Sequence, residues 1–217
     1  DTDGMRIMRE ILVDITQKYG CTVLISSHIL GELEITARKI TISAQDREKE
    51  YDAKPLNGSN PVTIGGSGLA DGDSIYATFE GSQTIPGSSP VSIAGYTVTR
   101  GREDVTYCYE VTSTFDATLT VHKREITIVA NSASKIYDAI ALISNGYEAI
   151  GGSGLVRGQT LESLTVIGSQ TNVGESPNVP SDAKIVDPEG NDVTPYYNIT
   201  YENGTLVVTP RPITVVT

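Results

Sequence analysis

Tryptophan is absent from this chain of 217 residues, and Phe, Met, His and Cys occur twice each. Each shortage narrows what the protein does. The two histidines are His28 and His122, and neither has a counterpart in the repeat described below, which argues against a Ser-His-Asp nucleophilic site. The two cysteines, Cys21 and Cys108, stand at unmatched positions, so a disulfide framework is not expected. Basic residues are scarce: 16 Lys and Arg face 27 Asp and Glu, for a net charge of −11. A nucleic-acid backbone or an anionic membrane surface needs a basic face, so neither is expected as a partner. No apolar run approaches the ~18 residues of a membrane-spanning helix, and no membrane insertion is expected. Neither a signal peptide nor a Leu-Pro-x-Thr-Gly sorting motif is found in these residues. With 11 Tyr among few aromatics, a core must lean on Val, Ile, Leu and Tyr.

What the chain does have is a tandem repeat. Ile40-Thr41-Ile42, Tyr51-Asp52-Ala53 and Gly65-Gly66-Ser67-Gly68-Leu69 recur as Ile126-Thr127-Ile128, Tyr137-Asp138-Ala139 and Gly151-Gly152-Ser153-Gly154-Leu155, each 86 residues later. Gly81-Ser82-Gln83-Thr84 recurs at Gly168-Ser169-Gln170-Thr171, and Asp104-Val105-Thr106 at Asp192-Val193-Thr194. Pro212-Ile213-Thr214-Val215 opens a third copy. Matched order with drifts of one residue marks tandem modules that differ by loop insertions. The boundaries expected are a first segment at 1–38, modules at 39–123 and 124–210, and the start of a third at 211–217.

The modules carry short alternating stretches separated by 21 Gly and 10 Pro, the pattern of half-buried strands. Strands are expected near Ile40–Ile42, Ser74–Phe79, Val91–Thr99, Thr106–Val111 and Thr118–Val121. Their counterparts are expected near Ile126–Ile128, Leu161–Ile167, Ala183–Val186, Tyr197–Tyr201 and Thr205–Thr209. Asn203-Gly204 between the last two predicts a type I′ hairpin. The fold class expected is mainly β: two small modules, Ig-like sandwiches or β-grasp-like, preceded by a short α/β segment. In that segment Ile7, Met8, Ile11, Leu12 and Ile15 form one helical stripe, Cys21–Ile25 is a continuous apolar strand, and Ser26-Ser27 cap a second helix. This helix-strand-helix buries little by itself, so its strand is expected to dock on an edge of the first module.

No complete enzyme site is visible, and no catalytic residue or cofactor is assigned. Tyr51 and Tyr137 beside Asp52 and Asp138 fit packing residues next to a turn better than ligand contacts. Asp187, Glu189, Asn191 and Asp192 gather hard oxygens suited to Ca²⁺, but the spacing departs from an EF-hand loop, so this is a weak metal candidate. Asp71-Gly72-Asp73 is weaker, because Gln159 replaces the second Asp in the other copy. The Gly65–Gly68 stretch and its copy read as turns, since Asp71 stands where a dinucleotide motif needs Gly and no helix pattern follows. An intramolecular isopeptide needs a buried Lys, for which Lys135 and Lys184 are candidates by type alone.

Two resemblances follow from these residues. Asp1-Thr2-Asp3-Gly4, Met8-Arg9-Glu10, Gly20–Leu30 and Glu32-Leu33-Glu34 are similar to the closing part of an ABC-transporter ATPase. The resemblance implies a D-loop aspartate at Asp1 and a switch histidine at His28. The chain has no Gly-x-x-x-x-Gly-Lys-Ser/Thr loop, no Leu-Ser-Gly-Gly-Gln signature and no Walker B carboxylates, so His28 is expected to be vestigial, without ATPase activity. Residues 39–217 resemble the MBG or YDG-type repeats of bacterial cell-surface proteins. The residues that carry this are Tyr51–Leu56, Tyr137–Ala139, the Gly-Leu pairs followed by Gly72-Asp73 or Gly158-Gln159, and Tyr197–Tyr201 with Asn203–Thr209. Ala53 and Ala139 replace the usual Gly. The resemblance implies an extracellular, non-enzymatic adhesin or stalk region of a Gram-positive bacterium. Its expected partners are a host glycan or extracellular protein and adjacent repeats of the same chain.

Overall fold

The computed structural model describes residues 37–215 together with Ile11, Asp14, Ile15 and Lys18. Those four residues fall on the first expected helix and are helical. The rest of the expected helix-strand-helix, including Cys21, His28 and the Asp1 position, lies outside the described residues. The described chain is mainly β and divides into two compact units.

The first unit comprises residues 1–49 and 55–121. Its strands are β1 (Arg38–Ser43), β2 (Arg47–Glu50), β3 (Leu56–Asn57), β4 (Thr63–Gly66), β5 (Asp73–Glu80), β6 (Ser82–Gln83), β7 (Gly87–Arg100), β8 (Glu103–Asp104), β9 (Tyr109–Phe115) and β10 (Ala117–His122). One sheet has the order β4-β1-β9, the other β2-β10-β7-β5 with β8 against β7, and β3 pairs β6. The core forms where the sheets face each other. Ile40 and Ile42 of β1 and Tyr109 of β9 meet Ala77 of β5 and Val98 of β7, with Val62, Val105 and Cys108 closing the cluster and Ile15 packed against it. Ile40 and Ile42 are fully buried, each contributing about 1.5–3 kcal/mol relative to exposure. The alternation of Ile40-Thr41-Ile42 thus sets which face of β1 turns inward.

The second unit comprises residues 50–54 and 122–217. Its strands are β11 (Arg124–Ala130), β12 (Ala133–Ile136), β13 (Tyr147–Gly152), β14 (Thr160–Ile167), β15 (Gly174–Val186), β16 (Tyr197–Glu202) and β17 (Gly204–Thr209). They form two sheets, β13-β11-β16 and β12-β17-β15-β14. Ile126, Ile128, Ile185, Leu206 and Val208 are buried here.

The last two strands correct the hairpin expectation. β16 runs parallel to β11, from Arg124↔Tyr197 to Val129↔Glu202. β17 runs parallel to β12, from Ala133↔Leu206 to Ile136↔Thr209. The chain at Asn203-Gly204 therefore does not reverse; it passes from one sheet to the other beside the same passage at Asn131-Ser132. Glycine is required there for closeness, not for a positive φ: a Cβ on Gly204 would sit 2.2 Å from the Asn131 carbonyl oxygen. The expected strand near Thr106 also starts later, because Thr106–Cys108 form a 3₁₀ turn. Asp104 Oδ1 accepts the Thr106 N–H, and Thr106 Oγ1 accepts the Val98 N–H. Asp192 and Thr194 repeat both contacts, the latter with Ile185, so the shared Asp-Val-Thr motif serves as a turn lock.

Candidate functional site

At one end of each unit a tyrosine hydroxyl, an arginine and an amide or carboxylate side chain converge below the Gly-Gly-Ser-Gly loop. In the first unit β1 positions Arg38, which donates from Nε to the Gly68 carbonyl at 2.7 Å and from Nη2 to that of Ser67 at 2.6 Å. Arg124 of β11 binds the Gly154 and Ser153 carbonyls in the same manner. The loop amide of Ser67 donates to Lys39 O, and that of Ser153 to Glu125 O. The loop thus presents carbonyl oxygens to a cation, the reverse polarity of a phosphate cradle, whose amides face an anion. Its first two glycines are strand residues of β4 and β13, tight against β1 and β11. A Cβ on Gly66 or Gly152 would meet the Lys39 or Glu125 carbonyl oxygen at 2.7 or 2.6 Å.

Beneath the first loop lies Asp73, whose side chain is fully buried. Arg100 donates to it at 2.6 and 3.0 Å, and the Tyr109 hydroxyl at 2.6 Å, while that hydroxyl accepts the Ala70 N–H at 2.9 Å. Burial pushes the Asp73 carboxyl up, but the Arg100 and Tyr109 bonds and the Arg100 charge outweigh it, and the net direction is down. Burial pushes the Tyr109 phenol up, and its bond to Asp73 adds to that. Asp73 is therefore a buried anion neutralised in place.

In the second unit Gln159 stands at the position of Asp73. The Tyr197 hydroxyl donates to its Oε1 at 2.5 Å and accepts the Val156 N–H at 3.0 Å. The amide nitrogen of Gln159 donates to the Tyr51 hydroxyl at 3.0 Å. Tyr51 is 3% exposed; its ring lies 5.1 Å from Tyr196 and edge-on to Tyr197 at 6.0 Å. Arg124 donates to Glu50 Oε1 at 2.9 Å, and Ser153 Oγ to Glu50 Oε2 at 2.9 Å. Burial raises the Tyr197 phenol. Gln159 thus joins the two tyrosine hydroxyls, accepting from Tyr197 and donating to Tyr51.

The residues singled out in the sequence are placed as follows. Tyr51 is the packing residue expected, whereas Tyr137 is 36% exposed. Asp52 and Asp138 each accept the N–H two residues on, from Lys54 and Ile140, which fixes Ala53 and Ala139 at φ 61° and 64°. Asp187 uses its oxygens on the Glu189 and Asn191 amides and the Asn191 side chain, and Asp192 turns instead to Thr194. Asp187 and Asp192 are both held below the ordinary carboxylate range, led by the side-chain bonds to Asn191 and Thr194. Among the described residues no three His, Cys, Asp or Glu side chains gather as a metal-holding group. Lys135 bonds Asp138 at 2.6 Å, and Lys184 meets Glu162 at 2.5 Å with half its side chain exposed, so neither is the buried lysine an isopeptide requires. Cys108 is buried in the core of the first unit.

Sequence reasoning missed the roles of Arg38 and Arg124, and it matched Asp73 with Gln159 but discounted the position because the residue type changes. Both pairs obey the offset of 86, but Asp and Gln differ in type, and the arginines look like junction residues. It also missed an open groove in the first unit, about 550 Å³, beside Asn57, Asn60, Tyr76 and Phe79. Tyr76 is 65% exposed there. Asn60 has both ends of its amide bound to the Ala77 backbone. No protein-family model and no curated protein matches this chain.

Proposed function

We propose that the chain is a non-enzymatic, load-bearing repeat region of an extracellular bacterial surface protein, acting as a stalk or adhesin module, and that each unit is a small two-sheet sandwich. The observation that carries this is the pairing of the first and last strands within a unit. β11 and β12 lie parallel to β16 and β17 along nearly their whole lengths. β1 lies parallel to β9 from Arg38↔Tyr109 to Ser43↔Phe115. Pulling a unit by its two chain ends draws parallel neighbours in opposite directions. The ladder bonds then share the load in shear and must break together, whereas a hairpin peels open one bond at a time. A protein that links a surface to a ligand needs this resistance, which is governed by the unfolding rate rather than by equilibrium stability. The resemblance of residues 39–217 to surface repeats points the same way.

Single-molecule pulling tests it. Held by its ends, the full chain should show two unfolding steps, each adding about 280 Å of chain for a module of about 86 residues. Each should need more force than the same unit pulled across antiparallel β14 and β15. Equal forces in the two directions reject the load-bearing role. For the adhesin variant, the ligand contact is assigned to the groove at Tyr76, whose exposed ring offers a face for a sugar to stack on. Glycan binding by the full chain should fall about tenfold or more in Tyr76→Ala; glycan binding that ignores this substitution removes the groove from the reading.

A further inference from the structure

The second unit takes Glu50–Lys54 as part of itself, although these residues lie within the first repeat of the sequence. The counterpart of that segment is Ile136–Ile140, and its backbone is already in the same form. The Tyr51 N–H donates to His122 O at 2.9 Å and the Tyr137 N–H to Thr209 O at 2.9 Å. Asp52 and Asp138 close the same turn at 3.0 Å, over alanines of the same positive φ. The side chains do not match. Tyr51 is 3% exposed, against 36% for Tyr137, and Ile136 and Ile140 beside it are 54% and 67% exposed. Arg211-Pro212-Ile213-Thr214-Val215 repeats Arg38–Ile42 and Arg124–Ile128, yet Ile213 and Val215 are 84% and 79% exposed where Ile40, Ile42, Ile126 and Ile128 are buried.

We propose that Ile136–Ile140 is a preformed plug for a further β unit of this repeat, whose first strand begins at Arg211. That unit is recognised by its chemistry. It presents a Gln or Asp side chain at the Gln159 position to bond the Tyr137 hydroxyl, a tyrosine pair like Tyr196 and Tyr197 to pack its ring, and Arg211 in the role of Arg124. Ile136 and Ile140 replace Glu50 and Lys54, so its surface around the plug is more apolar than that of the second unit. Two independent features agree on this occupant: a turn held in its bound form around an exposed tyrosine, and a strand sequence that repeats the buried β1 and β11. The inference rests on the tandem-repeat reading alone, not on load bearing. A chain that plugs as described yet unfolds at equal force in both pulling directions would sink the mechanical role and leave the plug standing.

The test extends the full chain: residues 1–210 followed by a second copy of residues 124–210. Because the protein has no tryptophan, Tyr147→Trp in the added copy alone reports that copy's unfolding. Tyr137→Ala should lower the added copy's midpoint by about 10 °C or more, as loss of a buried aromatic does. It should move the midpoint of the unextended 217-residue chain far less, and Tyr137→Phe should recover most of the loss. Equal shifts in both chains, no shift in either, or an added copy that fails to fold with Tyr137 intact each overturn the proposal.

Discussion

Asp73 and Gln159 stand at one repeat position, and the exchange shows how a single side chain resets its surroundings. The carboxylate demands neutralisation, which Arg100 supplies; the carboxamide is neutral, and its N–H₂ is free to bond Tyr51. A pH dependence follows for the first unit. The folded-state pKa of Asp73 is lowered, so its contribution to stability is fully present above the unfolded value near 3.9 and is lost as pH falls through the folded value. Asp73→Asn should therefore destabilise the first unit at pH 7, and the gap from the parent should narrow as pH drops below about 4. Urea unfolding across pH reads this directly; a gap that stays constant would show that the carboxylate charge is not what matters. Asn178 makes a second case at this scale. It is fully buried where the first repeat has Val91, its Nδ2 donates to the Asn131 and Ser144 carbonyls at 2.8 Å each, and its Oδ1 has no hydrogen-bond partner among the described residues. Asn178→Asp would set a charge against carbonyl oxygens with no cation beside it. Loss of about 3 kcal/mol or more is expected by urea titration, and a loss under about 1 kcal/mol would contradict the burial argument.

At the scale of elements, the passage between sheets is the feature that sequence patterns describe least well. Asn-Gly is the strongest short-range hairpin signal, and at Asn203-Gly204 it marks a crossing of two parallel chain segments instead. The two uses of glycine, positive φ and close approach, look the same in a sequence. Gly204→Ala separates them. A hairpin glycine at positive φ tolerates Ala at a cost of about 1–2 kcal/mol, but here Cβ meets Asn131 O at 2.2 Å and Ala130 O at 2.7 Å. The expected result is a loss of about 3 kcal/mol or more, with reduced amide protection in both β12 and β17; a loss near 1 kcal/mol would argue against the crossing. Strands with a clean alternation, such as β1, β5 and β11, were legible because one face is turned inward. β2 was not, since Arg47-Glu48-Lys49-Glu50 carries four charges. β15 was read only at its end, because Pro177 and Pro180 interrupt it. It tolerates them because β17 pairs only its first part and β14 only the rest, so along each part alternate N–H groups face away from a ladder. At the hubs, the tyrosines and glycines were visible as repeated letters, while their contacts with Arg and with Asp or Gln were not, since those contacts span 29 to 108 residues.

For the whole molecule, the repeat in the sequence and the compact units in space do not share boundaries. The repeat places Tyr51 in the first module, but the second unit holds residues 50–54. A repeat boundary marks where a pattern restarts; a unit boundary marks where side chains are buried, and no local pattern reports that. The difference has a thermodynamic consequence. Removing the Tyr51 side chain should leave Ile40, Ile42, Val98 and the other core residues of the first unit intact, since Tyr51 belongs to the second unit and is not a member of that cluster. It should strip the second unit of an aromatic packed on Tyr196 and Tyr197 and leave the Gln159 amide without the hydroxyl it bonds. Loss of a buried aromatic costs about 3–5 kcal/mol. Tyr51→Ala is thus expected to lower the stability of the unit formed by residues 122–217 by about 3 kcal/mol, with Tyr51→Phe costing about 1 kcal/mol for the hydroxyl alone. Hydrogen exchange locates the effect. Protection should fall in β11, β13 and β16 and stay unchanged in β1, β4 and β9. The opposite pattern, loss in the first unit with the second intact, would show that Tyr51 stabilises the repeat it is written in.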